Sequence, residues 1–229
     1  MGKPDLAPDS TFTRQARTLG IAAAWTTFVL SEIYAIVSGI AYASRGAAVE
    51  SGPFLSAMAL LVVVMGPGLV LSMVAVHAYA AAGHKPFSLS ALAFMALCVT
   101  VTSCINFMLL VVSSQPALFT EGWRALFVPT RWPAPAFILD NFVWDWFFGI
   151  SMLLAVPVFG GDRLKTGLRW ALILSGVLCI AGLAWLAVSP DQGVLIGILG
   201  WGAAGPIAFL LLAKVFSRPL AAAGQTPAS

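Results

Sequence analysis

Apolar residues fill six long stretches of this chain, and the short segments between them hold most of the charged residues. The hydrocarbon core of a bilayer is about 30 Å thick, which a helix of roughly 20 residues crosses, and each stretch is long enough to do so. None of the stretches has the alternation of period two that is typical of barrel strands, and backbone in lipid has to form its hydrogen bonds internally. The pattern therefore predicts an all-α integral membrane bundle of six transmembrane helices, near residues 19–44, 53–82, 87–113, 135–159, 166–188 and 193–216. The glycines of the sixth stretch, Gly193, Gly197 and Gly205, are four and eight residues apart and predict that this helix packs closely on a neighbour.

The composition favours the same fold class. Of the 229 residues, 60% are hydrophobic and 9% are charged. A soluble domain has about 25% charged residues, because it needs them to cover its surface. We therefore expect one membrane domain over residues 19–216, with tails at 1–18 and 217–229 and the lipid bilayer as its partner. The net charge of +3 comes from basic residues between the apolar stretches, which is typical of juxtamembrane loops and does not indicate nucleic-acid binding.

The distribution of Lys and Arg predicts the orientation in the membrane. The side that holds both termini has nine of these residues, namely Lys3, Arg14, Arg17, Lys85, Arg163, Lys165, Arg169, Lys214 and Arg218. The other side has three, Arg45, Arg124 and Arg131. Because basic loops are retained in the cytoplasm, both termini are predicted to be cytoplasmic.

Two segments have more than one interpretation. The first apolar run ends at Ala41-Tyr42-Ala43, which imitates the cleavage site of a signal peptide. However, the run is longer than the apolar region of about 7–15 residues in such peptides and contains Glu32, which favours an uncleaved first helix. The connection over 114–134 is rich in Trp, Phe and Pro, which is typical of an anchor lying in the outer interface, with a lid over a cavity as the alternative.

The sequence predicts neither a cofactor nor a metal site. Cys98, Cys104 and Cys179 all lie in apolar stretches, where we expect small core residues and not disulfide partners. His77 and His84 are not part of any metal-ligand spacing, and no glycine-rich phosphate loop precedes a helix. We therefore expect no cofactor, no metal and no nucleic acid among the partners.

Three acids lie within the predicted helices, Glu32 in the first and Asp140 and Asp145 in the fourth. An intramembrane acid is costly, so it usually faces the bundle interior and has a function. At 1.5 Å per residue, Glu32 and Asp145 lie about 18 Å and about 15 Å from the outer surface, and Asp140 lies closer to it. Asn106 and Asn141 are predicted near the same depth. Together these five residues predict a polar pocket in the outer half of the bundle, with Asp140 at its mouth.

Aromatic residues accompany these acids in the sequence. Trp144, Trp146 and Phe148 surround the fourth-helix acids, and Trp25 lies seven residues before the acid of the first helix. No Lys or Arg is predicted at this depth, so desolvation favours neutral carboxylic acids. Proton donors in a dry, aromatic-lined cavity suit acid-initiated chemistry on an alkene or an epoxide, because ring faces stabilise the cation that forms.

The leading hypothesis is an integral membrane enzyme that cyclises or isomerises a lipophilic, isoprenoid-like small molecule. The catalytic candidates are Glu32, Asp145 and Asp140. The candidates for substrate binding are Asn106, Asn141, Trp144, Trp146, Phe148 and Trp25. A second hypothesis is a proton- or cation-coupled small transporter, although no acid lies in the cytoplasmic half of a predicted helix. The third is a non-catalytic scaffold or regulator whose acids only hydrogen-bond between helices. The sequence leaves the oligomeric state open.

From Phe142 to Gly182 the chain reads FVWDWFFGISMLLAVPVFGGDRLKTGLRWALILSGVLCIAG. This segment resembles a group of small bacterial membrane proteins of unknown function, in which a WDxFFG-like start, a PVF-Gly turn and an LSGVLC-like segment recur. The resemblance covers the fourth and fifth predicted helices and implies a multi-pass protein of the bacterial inner membrane. Small integral-membrane terpene cyclases also use paired intramembrane acids, and that similarity is one of chemistry without a match of motifs.

Overall fold

The computed structural model of the chain describes residues 12–45, 53–113, 122 and 134–218. In these residues it has no strand and six helices that are long and apolar enough to cross a membrane. We number them in chain order as α1 (Arg14–Arg45), α2 (Pro53–Tyr79), α3 (Lys85–Ser113), α4 (Pro135–Val158), α5 (Arg163–Leu186) and α6 (Pro190–Ser217). The predicted all-α bundle of six helices is confirmed. The connection predicted as an anchor or a lid lies outside the described residues, except for Gly122 and Ala134.

The ends of the helices follow local chemistry as well as hydropathy. α1 begins at Arg14, five residues before its predicted start, because the polar residues that precede the apolar stretch are helical too. α5 begins at Arg163, directly after Asp162, whose Oδ1 accepts hydrogen bonds from the N–H groups of Leu164 at 2.8 Å and Lys165 at 3.1 Å. Asp162 is therefore an N-cap, which satisfies N–H groups that the first turn of a helix leaves unpaired.

Asp162 also joins the start of α5 to the end of α6. Its Oδ2 lies 2.8 Å from Nη1 of Arg218, and about half of each side chain is exposed. Partial desolvation by itself raises the pKa of Asp162, but the N–H of Lys165, the charge of Arg218 and the N–H of Leu164 together hold that pKa below its usual value. The cap is therefore ionised at neutral pH, and its exposure to solvent keeps the ion pair weak.

The helices alternate in direction and form a closed ring. α1 packs against α2 and α6, and each helix from α2 to α5 packs against the helices before and after it. Both described ends of the chain consequently lie at the same end of the bundle, which we call the basic end. The described basic residues at this end are Arg14, Arg17, Lys85, Arg163, Lys165, Arg169, Lys214 and Arg218, whereas Arg45 lies at the opposite end.

Aromatic rings close the bundle at the basic end. The rings of Phe12, Tyr79 and Phe216 contact one another, with centroids 5.2, 5.4 and 5.7 Å apart, and Phe159 stacks on Tyr79 at 5.7 Å. The guanidinium group of Arg17 donates hydrogen bonds to the carbonyl oxygen of Phe216 at 2.7 Å and to the next carbonyl oxygen at 2.6 Å. Because the last turn of α6 has no intrahelical donors for these carbonyls, Arg17 caps α6 and joins it to α1.

Apolar side chains fill the interior between this ring cluster and the middle of the bundle. Those with almost no exposed surface are Met73, Val76, Met152, Leu168, Leu172 and Leu212. They come from α2, α4, α5 and α6, and interiors packed in this way have few voids larger than a water molecule. The half of the bundle at the basic end is therefore closed in the part that the structure describes.

Glycine residues bring α4, α5 and α6 unusually close together. A methyl group on Gly182 would lie 2.6 Å from the backbone nitrogen of Gly197, and one on Gly193 would lie 2.5 Å from the backbone nitrogen of Leu186. On the other side of α5, a methyl group on Gly176 would lie 2.7 Å from a backbone carbonyl oxygen of α4. Small residues at helix interfaces are the usual means by which membrane helices approach closely. The close packing predicted for the glycine face of α6 is therefore confirmed.

Candidate ligand-binding cavity

A cavity of about 360 Å³ lies inside the ring of helices, in the half of the bundle opposite the basic end. Its wall is mostly apolar and includes Leu55, Met58, Val62, Leu109, Val194 and Phe209. Its polar residues are Ser31, Tyr34, Ser38, Tyr42, Asn106, Asp140 and Asn141. Binding sites for small molecules are typically cavities of about 300–1,000 Å³ with apolar walls and a few polar groups. The size and lining of this cavity therefore make it a candidate binding site.

Thr102 of α3 connects the polar groups on one side of the cavity. Its hydroxyl group donates a hydrogen bond to Oδ1 of Asp140 at 2.6 Å. The same hydroxyl accepts hydrogen bonds from Nε1 of Trp144 at 3.1 Å and from Nδ2 of Asn106 at 3.2 Å. A hydroxyl group has one hydrogen to donate and two lone pairs, so all of its capacity is used. Because both nitrogens can only donate, the hydrogen of Thr102 is directed to Asp140.

The second carboxyl oxygen of Asp140 is left available by this network. Asp140 lines the cavity, and its Oδ2 has no hydrogen-bond partner among the described residues. Since Oδ1 accepts from Thr102, a proton held by the carboxyl group has to be on Oδ2. Tyr34 lies within electrostatic range of Asp140, and the described lining of the cavity includes no Lys or Arg. The arrangement therefore presents one acid, oriented by its neighbours, to whatever occupies the cavity.

Aromatic rings form the wall next to this acid. Trp144 and Trp201 face each other with ring centroids 5.5 Å apart. Tyr34 approaches Trp201 edge-on at 6.3 Å, and Phe148 lies against Trp144 at 5.5 Å. All four residues line the cavity, and the indole nitrogen of Trp201 is buried with no partner among the described residues. The wall therefore combines packed aromatic rings with one N–H group that has no partner among the described residues.

The two tryptophans of this wall lie in π-helical segments. One covers Val143–Phe148 of α4 and the other covers Leu199–Ala204 of α6. A π-helical segment is a widened turn with hydrogen bonds between residues five apart, and such segments occur frequently at functional sites. The hydrophobic pattern does not predict where such segments lie. Trp144 was a candidate because it lies next to Asp145 in the sequence, whereas Trp201 has no acid beside it.

Five of the nine site residues predicted from the sequence line the cavity, namely Asp140, Asn106, Asn141, Trp144 and Phe148. They come from α3 and α4 and lie in the half of the bundle where the pocket was predicted. Asn106 donates to the carbonyl oxygen of Thr102 at 2.9 Å, and Asn141 donates to the carbonyl oxygen of Phe137 at 2.8 Å. Each amide is therefore held by the preceding turn of its own helix.

Glu32 does not line the cavity, which corrects the prediction. Its side chain is exposed on the outer face of α1. The inner face of α1 is formed by Ser31, Tyr34, Ser38 and Tyr42, which are spaced three or four residues apart and therefore share one side of the helix. Glu32 lies off this side. A row of hydroxyl-bearing residues along an otherwise apolar helix is the sequence pattern that would have identified the inner face of α1.

Asp145 is inside the protein but outside the cavity. It follows Trp144 by one residue, which turns its side chain by about 100° around the helix and towards α5 and α6. The side chain is fully buried, neither oxygen has a hydrogen-bond partner among the described residues, and the carboxyl group packs directly on Gly197. The prediction that Asp145 and Glu32 share a pocket is therefore wrong.

The remaining two predicted residues, Trp25 and Trp146, lie on the outer surface of the bundle. Their side chains are 40% and 39% exposed, and Trp146 stacks on Phe142, whose ring centroid lies 6.4 Å away. Neither residue lines the cavity. Exposed rings on a membrane helix contact lipid. The two residues were predicted to bind substrate because they lie near an acid in the sequence, but nearness in sequence does not place two side chains on the same side of a helix.

The unpartnered carboxyl group of Asp145 leads to a prediction about stability. A buried polar group without a hydrogen bond costs about 1–3 kcal/mol, so Asp145→Val is expected to raise the free energy of unfolding by about that amount. Valine is shorter than aspartate and makes no new contact with Gly197. Asp145→Asn is the control, because it keeps a polar group at the same place and should bring no gain. Thermal unfolding in detergent measures both, and a clear loss of stability in Asp145→Val would contradict an unpartnered acid.

Among the described residues, no group of three or more His, Cys, Asp or Glu side chains is placed to hold a metal ion. Comparisons of the chain with protein-family models, with curated proteins and with solved structures find no match. The resemblance of residues 142–182 to small bacterial membrane proteins therefore stays a prediction. The function has to be inferred from the chemistry of the cavity.

Proposed function

We propose that this chain is an integral membrane enzyme that binds a lipophilic, isoprenoid-like molecule in its cavity and isomerises or cyclises it by protonation from Asp140. The observation that carries the proposal is the single oriented acid next to a wall of aromatic rings. The other acids of the predicted site, Glu32 and Asp145, do not line the cavity. We therefore assign the role of proton donor to Asp140 alone.

The size and lining of the cavity support a lipophilic substrate. An apolar protein cavity of about 150 Å³ holds a benzene molecule, so 360 Å³ has room for on the order of 15 carbon atoms. The apolar side chains of α2 and α6 suit a hydrocarbon chain, and the substrate reaches such a site from the bilayer. A hydroxyl or epoxide oxygen on the substrate would accept a hydrogen bond from the free indole N–H of Trp201.

The reaction that fits this arrangement needs no co-reactant. Oδ2 of Asp140 gives its proton to an alkene carbon or an epoxide oxygen, and the positive charge then develops on carbon. The faces of Trp144, Trp201 and Tyr34 stabilise that charge, because the face of an aromatic ring is negatively polarised. Loss of a proton from a neighbouring carbon to the Asp140 carboxylate ends the reaction and restores the acid. Substrate and product are isomers, so the reaction as proposed needs no cofactor.

The packing at the basic end favours this function over a transporter. A transporter requires access to its binding site from both sides of the membrane. In the described residues, the rings of Phe12, Tyr79, Phe159 and Phe216 and the filled core above them separate the cavity from the basic end. We further propose, from the positions of Lys and Arg, that this end faces the cytoplasm. The resemblance of residues 142–182 to small bacterial membrane proteins leads us to propose that the membrane is the bacterial inner membrane.

The test uses purified full-length protein in phosphatidylcholine vesicles with two C15 probes, farnesol and its 10,11-epoxide. We expect either probe to yield an isomer that gas chromatography with mass spectrometry detects. In D₂O the product formed from farnesol should gain one carbon-bound deuterium, because the exchangeable acid protonates an alkene carbon. Brominated farnesol should quench tryptophan fluorescence, and the quenching should fall in Trp201→Phe.

The outcomes separate the parts of the proposal. Quenching that falls in Trp201→Phe, without any isomer, would leave a lipophilic binding site and contradict the enzyme. Neither quenching nor an isomer, with protein whose thermal unfolding is cooperative, would contradict the lipophilic ligand itself.

A further inference from the structure

Glu32 is an acid at the middle of a lipid-facing helix surface. It lies about 27 Å along α1 from Arg14 and about 20 Å from Arg45, and its side chain is exposed. It has no hydrogen bond or ion pair among the described residues, and Val29, Ile33 and Ile36 beside it are exposed as well. A charged side chain at the bilayer centre is energetically costly. An acid that faces lipid there, with no partner among the described residues, would be stabilised by a partner on a second molecule.

The surface around Glu32 has the pattern of a helix interface. Counting along α1 from Ala22 in alternating steps of three and four gives seven residues, and all seven are exposed. We call this set the α1 face, which consists of Ala22, Trp25, Val29, Glu32, Ile36, Gly39 and Ala43. Steps of three and four define the seam of a left-handed helix pair. The α1 face is about 32 Å long, which matches the hydrocarbon core. α1 is also the least buried of the six helices.

Small residues occupy the half of the α1 face beyond Glu32. A methyl group built on Gly39 would meet nothing within 4 Å, so the space over it is open. Gly39 and Ala43 are four residues apart, the spacing at which small residues let two membrane helices come close. The open space over Gly39 is therefore where the backbone of a second helix would approach.

We propose that the α1 face is the interface of a homodimer in the membrane, in which the Glu32 carboxyl groups of two copies hydrogen-bond to each other. All copies insert with the same orientation, so two copies related by a two-fold axis along the membrane normal bring each residue of the face against itself. Glu32 then meets Glu32 at the same depth. A carboxylic acid has both a donor and acceptors, so two of them satisfy each other without a foreign partner. This interface is independent of the enzyme proposed above.

Cross-linking tests the location of the interface. Cys104 is exposed and the other two cysteines are buried, so the background variant is Cys104→Ser. In this background, Ile36→Cys is treated with a short bismaleimide in native membranes. We expect a product of twice the monomer mass. Leu174→Cys on α5 is the matched control, because Leu174 is 54% and Ile36 is 61% exposed, and it should give little dimer. Equal, low yields from both, or an Ile36→Cys product with a mass other than that of a dimer, would overturn the proposal.

A dilution series tests the role of Glu32. Energy transfer between labelled copies in vesicles, measured over a range of protein-to-lipid ratios, gives the dissociation constant of the dimer. We expect Glu32→Leu to raise it about 3- to 30-fold, which corresponds to about 0.6–2 kcal/mol for an interhelical hydrogen bond. Glu32→Gln should stay close to wild type, since an amide also has donors and acceptors. Both variants should unfold at the wild-type temperature, and an unchanged dissociation constant in Glu32→Leu would contradict the pairing of the acids.

Discussion

Gly182→Ala and Gly193→Ala are each expected to destabilise the protein. Overpacking a helix interface costs about 1–3 kcal/mol, and we expect the loss for each variant to lie at the upper end of that range. A methyl group at either position meets backbone atoms of the other helix. On Gly182 it would lie 2.6 Å from the nitrogen and 2.8 Å from Cα of Gly197. On Gly193 it would lie 2.5 Å from the nitrogen and 2.6 Å from Cα of Leu186. A flexible side chain could move aside, whereas backbone can only separate if α5 and α6 move apart. That movement also disturbs the packing of the two helices along the rest of their contact.

Gly167→Ala is the matched control on the same helix. Gly167 also lies in α5, but a methyl group there would meet nothing within 4 Å. Because alanine is the better helix former by about 0.5–1 kcal/mol, this change should leave stability unchanged or raise it. Thermal unfolding in detergent, followed by circular dichroism, measures all three variants. If the three melted at the same temperature, the close approach of α5 and α6 would be contradicted.

The fold was predictable because membrane helices have a strong signal in the sequence. A bilayer requires about 20 apolar residues per crossing, and almost any such run becomes a helix, since no water is present to satisfy an extended backbone. The glycines of α6 added the prediction of close packing. What they did not reveal is the partner, α5, because contacts between helices depend on their order around the ring.

The site was only partly predictable because periodicity groups residues into faces without showing which face is inside. In α1 the acid Glu32 was expected to face the bundle interior. Tyr34, two residues further on, lies on a different side of the helix, and it is Tyr34 that lines the cavity. Four hydroxyl-bearing residues, Ser31, Tyr34, Ser38 and Tyr42, outweigh one acid as evidence for the inner face.

In α4 the error was a difference of one residue. Asp145 was grouped with Asn141, which lies four residues before it, but the cavity is lined by Asp140, Asn141 and Trp144 and not by Asp145. The π-helical segment Val143–Phe148 widens the turn after Asn141, so a residue four positions further on no longer lies on the same side. Thr102, which orients the acid, had no distinguishing signal, because a threonine in an apolar helix usually bonds only to the preceding turn.

Asp140→Asn is expected to lower the turnover of the proposed reaction by about 10²- to 10⁴-fold, the usual contribution of a positioned general acid. Asparagine has the same shape, and its carbonyl oxygen can accept the hydrogen bond that the Thr102 hydroxyl donates to Oδ1 at 2.6 Å. The network and the fold should therefore remain, while the exchangeable acid proton is lost. Binding of the brominated probe, measured by tryptophan quenching, should be close to wild type, so the loss appears in kcat and not in KM.

Thr102→Val and Asp145→Asn distinguish the acid from its surroundings. Thr102→Val keeps the proton of Asp140 but removes its orientation and leaves the indole N–H of Trp144 without its acceptor, so we expect a smaller loss of turnover together with a loss of stability of about 1–3 kcal/mol. Asp145→Asn changes an acid that does not line the cavity and should leave turnover unchanged. If Asp145→Asn were inactive and Asp140→Asn were active, the proton donor would belong to the interface of α4, α5 and α6. The cavity would then be a binding site whose acid only orients the ligand.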